Sequence, residues 1–289
     1  MDRFVSTFHR PFLKWAGGKS RLLPRIHKVL PQGNCLIEPF VGAGAVFLNS
    51  DYDRYLLADI NPDLINLYQI LKQQKQSFIN IASEYFEEPF NQKSKYYELR
   101  ELFNETEMGE LRAALFLYMN RHGYNGLCRY NQKGGFNVPF GKYKRPYFPV
   151  AEMEHFCSMA SRTEFVCADF REVMNSAKKD DVIYCDPPYV PISATAYFTQ
   201  YAQQGFSQKC QKDLAETAEK LVECGVHVVV SNHDNAATRR LYNQSLVKSF
   251  FVQRNISCQG ATRSKVKELL ACYYPETEFE KNLQQRRAV

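Results

Sequence analysis

The sequence predicts an α/β protein: a Rossmann-like sheet at the two ends of the chain, interrupted by a helix-rich insertion. Short apolar runs ending in an acid or a glycine-rich turn alternate with helical periodicities over residues 1–61 and 150–289. That is the rhythm of βαβ units. Residues 62–149 break this rhythm with successive helical patterns and a basic, aromatic-rich stretch, so they are expected to form an inserted second domain. Finally, the apolar run Val182-Ile183-Tyr184-Cys185 leads into Asp186-Pro187-Pro188-Tyr189. Open α/β sheets bind their ligands just past a strand's carboxyl end, where this tetrapeptide falls.

Composition narrows the class. The chain has 289 residues, enough for one large or two smaller domains. No signal peptide and no apolar run long enough to span a bilayer is found, so a cytoplasmic protein is expected. The nine cysteines are odd in number and include no C-x-x-C pair. They are expected to be reduced core residues, not a disulfide or zinc framework. A net charge of +6 favours anionic partners, depending on where the charge sits.

In chain order, the first feature is Phe12-Leu13-Lys14-Trp15-Ala16-Gly17-Gly18-Lys19-Ser20, followed by a helical stretch to about Leu30. Gly18-Lys19-Ser20 imitates the end of a phosphate-binding P-loop. That motif needs glycine where Leu13 stands, and a preceding strand, so it is rejected. Two readings remain. Either the glycines let backbone approach a ligand, with Trp15 as a stacking wall and Lys19 as an anion partner, or this is a helix-entry turn with a snorkelling lysine.

Cys35 to Leu48 reads as strand, glycine-rich turn (Gly42, Gly44), helix. A second strand, Tyr55-Leu56-Leu57-Ala58-Asp59, ends in an acid about fifteen residues later. A glycine turn after the first strand and an acid after the second suit a nucleoside, with the acid on the ribose hydroxyls. The third glycine of a dinucleotide site is missing. Asn61-Pro62 is a helix start, cap then proline, with the helix running to about Gln73. Helical patterns continue over 75–88, 95–105 and 109–121.

Leu111 to Ala151 contains no Asp or Glu. It carries Arg112, Arg121, Arg129, Lys133, Lys142, Lys144 and Arg145, a local charge of +7, and nine interleaved aromatics that include Tyr124, Tyr130 and Tyr143. Cations for phosphates, rings for stacking and amides (Asn125, Asn131, Asn137) for base edges make a nucleic-acid surface. The bland alternative, a solvated basic face, would mix charge signs and carry fewer rings.

From Val150 the alternation resumes: a helix through Met159, a strand over Glu164–Cys167, Asp169, a helix, and the strand into Asp186. Asp169 either bonds the adenine of a cofactor or caps the next helix. A polar, aromatic loop from Ser193 to Phe206 sits where a lid would be. Ser207 starts a helix that stops near Cys224-Gly225, and Val226 to Val230 is a buried strand. Asn232-His233-Asp234 reads as loop and helix-cap chemistry. Strands near 246–252, 255–258 and 268–274 close the sheet, with Thr262-Arg263-Ser264-Lys265 as a phosphate contact in the last turn and a charged tail from Pro275.

At Asp186 to Tyr189, two prolines stiffen the backbone and remove two N–H donors. What remains is a carboxylate, a free carbonyl at Pro187 and a flat ring at Tyr189. The carboxylate and carbonyl accept from an exocyclic amine while the ring stacks on a base. The bland alternative is a tight turn with a capping Asp.

This tetrapeptide, Phe12 to Lys19, Glu38-Pro39-Phe40-Val41-Gly42-Ala43-Gly44, Leu57 to Asn61, Leu117 to Phe148 and Ser231-Asn232-His233-Asp234 together resemble the Dam-type DNA adenine-N6 methyltransferases. The run Asn120 to Asn131 is the most specific part, and the motif order is that of the α group. The resemblance implies a Rossmann-like S-adenosylmethionine-dependent methyltransferase sheet with an inserted DNA target-recognition domain. It implies S-adenosylmethionine as donor, S-adenosylhomocysteine as product and no metal. Cofactor contacts are expected from Trp15, Ala16, Gly17, Lys19, Glu38, Phe40, Gly42, Gly44, Asp59, Ile60, Asp169, Phe170 and Asp186. The expected catalytic set is Asp186, Pro187 and Tyr189. The implied partner is double-stranded DNA containing GATC, bound by a monomer in a bacterial or phage-infected cell. Lys14 would read one outer guanine and Arg129 the other, with Leu127 and Pro139 against the inner thymine and Tyr124 inserted near a flipped base. Arg121, Asn125, Asn131, Asn137 and Lys142 complete the expected DNA surface; Lys142 stands where the family can carry an arginine.

Two other readings compete. One is the same chemistry on cytosine N4 or an RNA adenine. The other is a non-catalytic DNA binder, which would have no use for Asp186 or Trp15. A cytosine-C5 enzyme is disfavoured, because it needs a nucleophilic cysteine after proline and the chain has no Pro-Cys pair.

Overall fold

The computed structural model describes residues 8–189, 206–253 and 265–275. Most of the expected lid, the strand expected at 255–258, Thr262-Arg263-Ser264 and the tail beyond Pro275 lie outside the described residues.

Seven strands form one mixed sheet: β1 (Cys35–Glu38), β2 (Arg54–Asp59), β3 (Thr163–Cys167), β4 (Val182–Cys185), β5 (His227–His233), β6 (Leu246–Gln253) and β7 (Lys265–Tyr273), in the order β3-β2-β1-β4-β5-β7-β6. β4 runs parallel to β1, with Ile183 beside Ile37, and parallel to β5, with Cys185 beside Val230. β7 is antiparallel to both β5 and β6. Every residue of β1, β4 and β5 is buried, which is why these strands read as unbroken apolar runs. Chain order proceeds outward from β1 on one side and from β4 on the other, so the topological switch point lies between their carboxyl ends. The fold is thus the predicted Rossmann-like α/β architecture.

Packing divides the chain into two compact units. One comprises the described residues of Met1–Pro24, Val41–Asp51 and Leu57–Cys167; the other comprises those of Arg25–Phe40, Tyr52–Leu56 and Ala168–Val289. In the first, helices α2 (Pro62–Gln74), α3 (Gln76–Glu84) and α4 (Lys93–Glu105) pack on α5 (Glu110–His122). α5 is buried at every position from Ala113 to His122, so it shows no amphipathic stripe and forms the unit's axis. A second core gathers Phe12, Tyr68, Phe156 and Phe165, with Tyr68 and Phe156 centroids 4.9 Å apart. α6 (Val150–Ala160) carries Phe156. In the second unit, α7 (Phe170–Asn175) and α8 (Gln208–Glu223) pack together, and α8 also covers β5 and β7. α9 (Ala236–Leu241) follows β5.

The predicted caps are present. Asn61 Oδ1 accepts from the Asp63 and Leu64 N–H groups with Pro62 at the first helical position, Ser207 caps α8, and Gly225 stops it at φ +81°.

Four expectations need correction. No α-helix follows the glycine turn: only a short 3-10 turn, Phe47–Asn49, is present. Gly42 and Gly44 both take positive φ, and Asn49 Nδ2 donates to the Ala45 and His9 carbonyls, competing with helical backbone bonds. The helix expected up to about Leu30 is confined to α1 (Leu23–His27); Pro24 has no N–H to give an earlier turn, so it must sit at the start. Asn232 and His233 belong to β5, with Asn232 Nδ2 donating to Tyr242 and Gln211, and the next cap is Asn235. The cysteines among the described residues are all free, but Cys167 and Cys224 are exposed and not core.

Candidate active site and nucleic-acid interface

The second unit holds the Asp186 loop. β4 delivers Asp186 half-buried at its carboxyl end. Because Cys185 pairs with Val230, the next residues along, Asp186 and Ser231, are neighbours. Ser231 Oγ donates to Asp186 Oδ1 at 3.0 Å and lies 3.2 Å from the Tyr184 hydroxyl. A hydroxyl has one proton, so Tyr184 donates to Ser231 and Ser231 donates to the carboxylate, a charge-assisted bond. Gln211 of α8 donates from Nε2 to the Pro188 carbonyl at 2.7 Å, and its Oε1 accepts from Asn232 and Tyr242. The tetrapeptide is therefore held from β5 and from α8. The Tyr189 hydroxyl donates to Glu268 Oε2 at 3.3 Å, and its ring meets His233 edge-on at 4.7 Å. Burial, with Asp186 and Glu268 nearby, pushes the Tyr189 phenol well above its ordinary range, so it stays a neutral donor. Burial likewise raises the Cys185 thiol, which makes it a poor nucleophile.

On the β1 side of the same unit, Glu38 is buried and Phe40 stacks on Phe170 at 5.4 Å, with Phe206 edge-on to Phe40 at 5.6 Å. Asp169 caps α7 by accepting from Arg171 N–H at 2.9 Å and also pairs with the Arg171 guanidinium. Of the two readings of Asp169, the cap is the one realised in this geometry.

The first unit holds the glycine turn and the basic stretch. Gly42 has φ +47°, its N–H donates to Asp59 Oδ2 at 3.2 Å, and its carbonyl accepts from Tyr68 at 2.6 Å. A Cβ at Gly42 would lie 2.9 Å from the Trp15 indole, so glycine is required where Trp15 packs on the turn. Asp59 Oδ1 accepts from Asn61 N–H at 3.0 Å. Burial raises the Asp59 carboxyl above its usual range, while the Asn61, Gly42 and Ile60 N–H groups act against that shift. Beside it, Ile60 is 74% exposed. Lys19 is buried and donates from Nζ to the Gly17 carbonyl, and Ala16 and Gly17 are exposed. Gly44 completes the turn at φ +71°.

Asn120, on α5, pins Lys14 in both directions: it accepts from Lys14 N–H at 2.9 Å and donates to the Lys14 carbonyl at 2.7 Å. The Lys14 side chain lies on Gly126, where a Cβ would come 2.3 Å from Lys14 Cβ, and its ammonium sits 4.0 Å from the Tyr143 ring centroid. Burial, then the Arg121 charge, lowers the Lys14 ammonium below its usual range. Arg121 is buried with its guanidinium over Tyr147. Asn125 takes φ +54° and donates its N–H to the Tyr143 hydroxyl. Tyr124 is 51% exposed, while its N–H donates to the Pro139 carbonyl. Leu127 is half-buried; Pro139 and Lys142 are exposed.

Arg129 is exposed and donates from Nε to Asn137 Oδ1 at 2.7 Å. Asn131 Oδ1 accepts from the Lys133 and Gly135 N–H groups, so it shapes the hairpin turn.

Sequence reasoning missed Gln211 as the clamp of Pro188, and weighed Tyr143 only as one of many rings. Gln211 carried no local signal, since its partners lie 21 to 31 positions away in the chain.

Comparison with known proteins is direct. Residues 15–256 match the family model of the D12 class N6 adenine-specific DNA methyltransferases. A DNA adenine methylase of Vibrio cholerae serotype O1 is 53% identical over 92% of this chain and 96% of its own length. A DNA adenine methylase of Escherichia coli (strain K12) is 52% identical over the same shares. Among solved structures, a human methyltransferase 10 domain containing protein aligns over 88% of this chain and 81% of its own, with a TM-score of 0.40 and 9% identity. With a family model spanning most of its length and relatives of about half identity over nearly all of it, the chain belongs to the Dam-type, D12 class N6 adenine-specific DNA methyltransferases.

Proposed function

We propose that this adenine-N6 DNA methyltransferase acts on GATC sites in double-stranded DNA, with S-adenosylmethionine as methyl donor and Asp186 as the group that orients the amine. The observation that carries the proposal is the Asp186 loop, held by Ser231 on one side and Gln211 on the other. S-adenosylmethionine supplies an electrophilic methyl group on a sulfonium.

The residues of the first unit fit such a donor. Asp59 accepts from the Gly42 and Asn61 N–H groups, and a carboxylate offers about four lone-pair sites, which leaves acceptor capacity suited to ribose hydroxyls. Exposed Ile60 offers an apolar wall for an adenine. Trp15, Ala16, Gly17, Lys19 and Gly44 surround the turn in sequence or contact. The family resemblance also assigns Glu38, Phe40 and Phe170 to the donor. For Asp169, already engaged with Arg171, cofactor contact would be additional to its cap.

An exocyclic amine is a weak nucleophile because its lone pair is delocalised into the ring. Hydrogen bonds from N6 to the Asp186 carboxylate and the Pro187 carbonyl favour a pyramidal nitrogen with a directed lone pair. This is orientation and electrostatic preorganisation. Tyr189 stacks on the base. N6 is inaccessible in the duplex, so the adenine must flip out at a cost of a few kcal/mol. Stacking worth ~1–3 kcal/mol per base, on Tyr189 and on the emptied stack by Tyr124, offsets this.

For recognition, Lys14 and Arg129 read the outer guanines, and Leu127 and Pro139 meet the inner thymine. The immobilised Lys14 backbone and the Asn137 brace on Arg129 support these roles. Asn125 and Lys142 contact the DNA backbone, buried Arg121 adds positive charge behind Lys14, and Asn131 and Asn137 act through the hairpin that carries Arg129.

The test is nucleoside mass spectrometry of an unmethylated GATC duplex after incubation with S-adenosylmethionine, beside a scrambled duplex. N6-methyladenine confined to the GATC duplex is expected. Adenine methylation regardless of site would overturn the roles of Lys14 and Arg129, and N4-methylcytosine would overturn the target atom.

A further inference from the structure

Two residues of the recognition hairpin turn back onto the mount of Asp59. Along the strand-like arm Cys128-Arg129-Tyr130, alternate side chains point to opposite faces. Arg129 is exposed, whereas Cys128 and Tyr130 are half-buried. The Tyr130 hydroxyl donates to Asp63 Oδ2 at 2.5 Å, and Asn61 Nδ2 donates to Cys128 Sγ at 3.4 Å. Asn61 and Asp63 form the first turn of α2, and the Asn61 N–H is the donor that holds Asp59 Oδ1. Asp63 is buried, and its other oxygen accepts from Arg112 Nε at 2.5 Å. Arg112 is itself tied to the Phe103 carbonyl at 2.8 Å. The turn is therefore anchored to α4 and α5, and the anchors flank Arg129 on both sides. All these groups lie in one compact unit.

We infer that the first turn of α2 is a common mount for the cofactor acid and the guanine reader, and that Tyr130 is a positioning residue which couples the two. Its phenol touches neither ligand. It fixes the outward face of the hairpin arm, and thereby Arg129, relative to Asn61 and Asp59. Burial keeps the phenol protonated across the physiological range, so it acts as a permanent donor to Asp63. A donor to a buried carboxylate cannot be dropped without leaving that oxygen short of a partner. A shift of the hairpin is thus transmitted to the α2 turn, and the reverse also holds.

The inference rests on the reading of Asp59 as cofactor acid and Arg129 as guanine reader. Its test is reciprocal binding on the full chain. The affinity for a GATC duplex is measured with and without saturating S-adenosylhomocysteine, in the unaltered protein, in Tyr130→Phe and in Cys128→Ala. Tyr130→Phe keeps the ring that packs edge-on against Phe136 at 5.7 Å, so the hairpin is retained. Coupling of about fivefold or more is expected in the unaltered protein, falling to near onefold in Tyr130→Phe. In the same variant, discrimination against duplexes changed at the guanine read by Arg129 should fall, while discrimination at the guanine read by Lys14 stays. Cys128→Ala should lower coupling in the same direction. Equal loss of discrimination at both ends, or coupling that survives in Tyr130→Phe, would overturn the inference and leave the function intact. No cofactor-product or site-specific binding by the unaltered protein would instead overturn the functional reading beneath it.

Discussion

At the scale of single residues, a few side chains hold others still. Ser231 orients the Asp186 carboxylate, Gln211 clamps the Pro188 carbonyl, and Asn120 grips Lys14 by both backbone groups. Gly42 is the sharpest case: its φ is +47°, its N–H holds Asp59, and Trp15 occupies the space of its missing Cβ. Gly42→Ala is expected to cost about 1–2 kcal/mol from backbone conformation alone. It should also weaken S-adenosylhomocysteine binding by displacing Trp15 and Asp59. Urea unfolding and calorimetric titration of the variant check this; lowered stability with unchanged affinity would remove the turn from the cofactor site. Asp186, Asp59 and Gly42 were legible in the sequence, because an acid or glycine just past an apolar run is a local pattern. Ser231 as a holder of Asp186 was not, since it is brought alongside by β-sheet register 45 positions away.

At the scale of elements, α5 is the axis of its unit, and it buries a histidine. His122 is fully buried, its ring tilted against that of Tyr118 with centroids 4.0 Å apart and Nδ1 against the Tyr118 carbonyl. Burial pulls its pKa from 6.5 to about 4, the Tyr118 carbonyl acting against that shift and the Lys14 charge adding to it. The folded pKa is depressed, so the unfolded chain takes up this proton at higher pH than the folded one. Stability is therefore lost as pH falls through the window between those values, by about 2 kcal/mol between pH 7.5 and pH 5. Urea midpoints across that range should show a smaller loss in His122→Phe; an identical slope would contradict the assignment. Helix starts were readable where a cap stood before a proline or an apolar periodicity, as at Asn61 and Ser207. The glycine turn misled, because the Asn49 side chain takes the Ala45 carbonyl that a helix would have used and ties the segment to the His9 carbonyl. His233 was read as loop because its pairing with Glu268 of β7 is a long-range fact.

At the scale of the whole molecule, the βαβ rhythm and its interruption were enough to predict the sheet, since both are periodicities of neighbouring residues. The order β3-β2-β1-β4-β5-β7-β6, with β7 inserted antiparallel between β5 and β6, was not, because strand order is set by packing between distant segments. The proposed roles divide between the two units: donor and DNA contacts mostly in the first, the amine-orienting loop in the second. The central claim is that Asp186 acts on the reacting amine. Its most direct test is Asp186→Ala, with methyl transfer to a GATC duplex measured under single turnover and duplex affinity measured on the same preparation. The prediction is a loss of rate on the order of 10²–10³ or more, as for removal of one preorganised electrostatic group, with duplex affinity unchanged. Undiminished transfer, or loss of binding together with transfer, would contradict it and make Asp186 a structural residue.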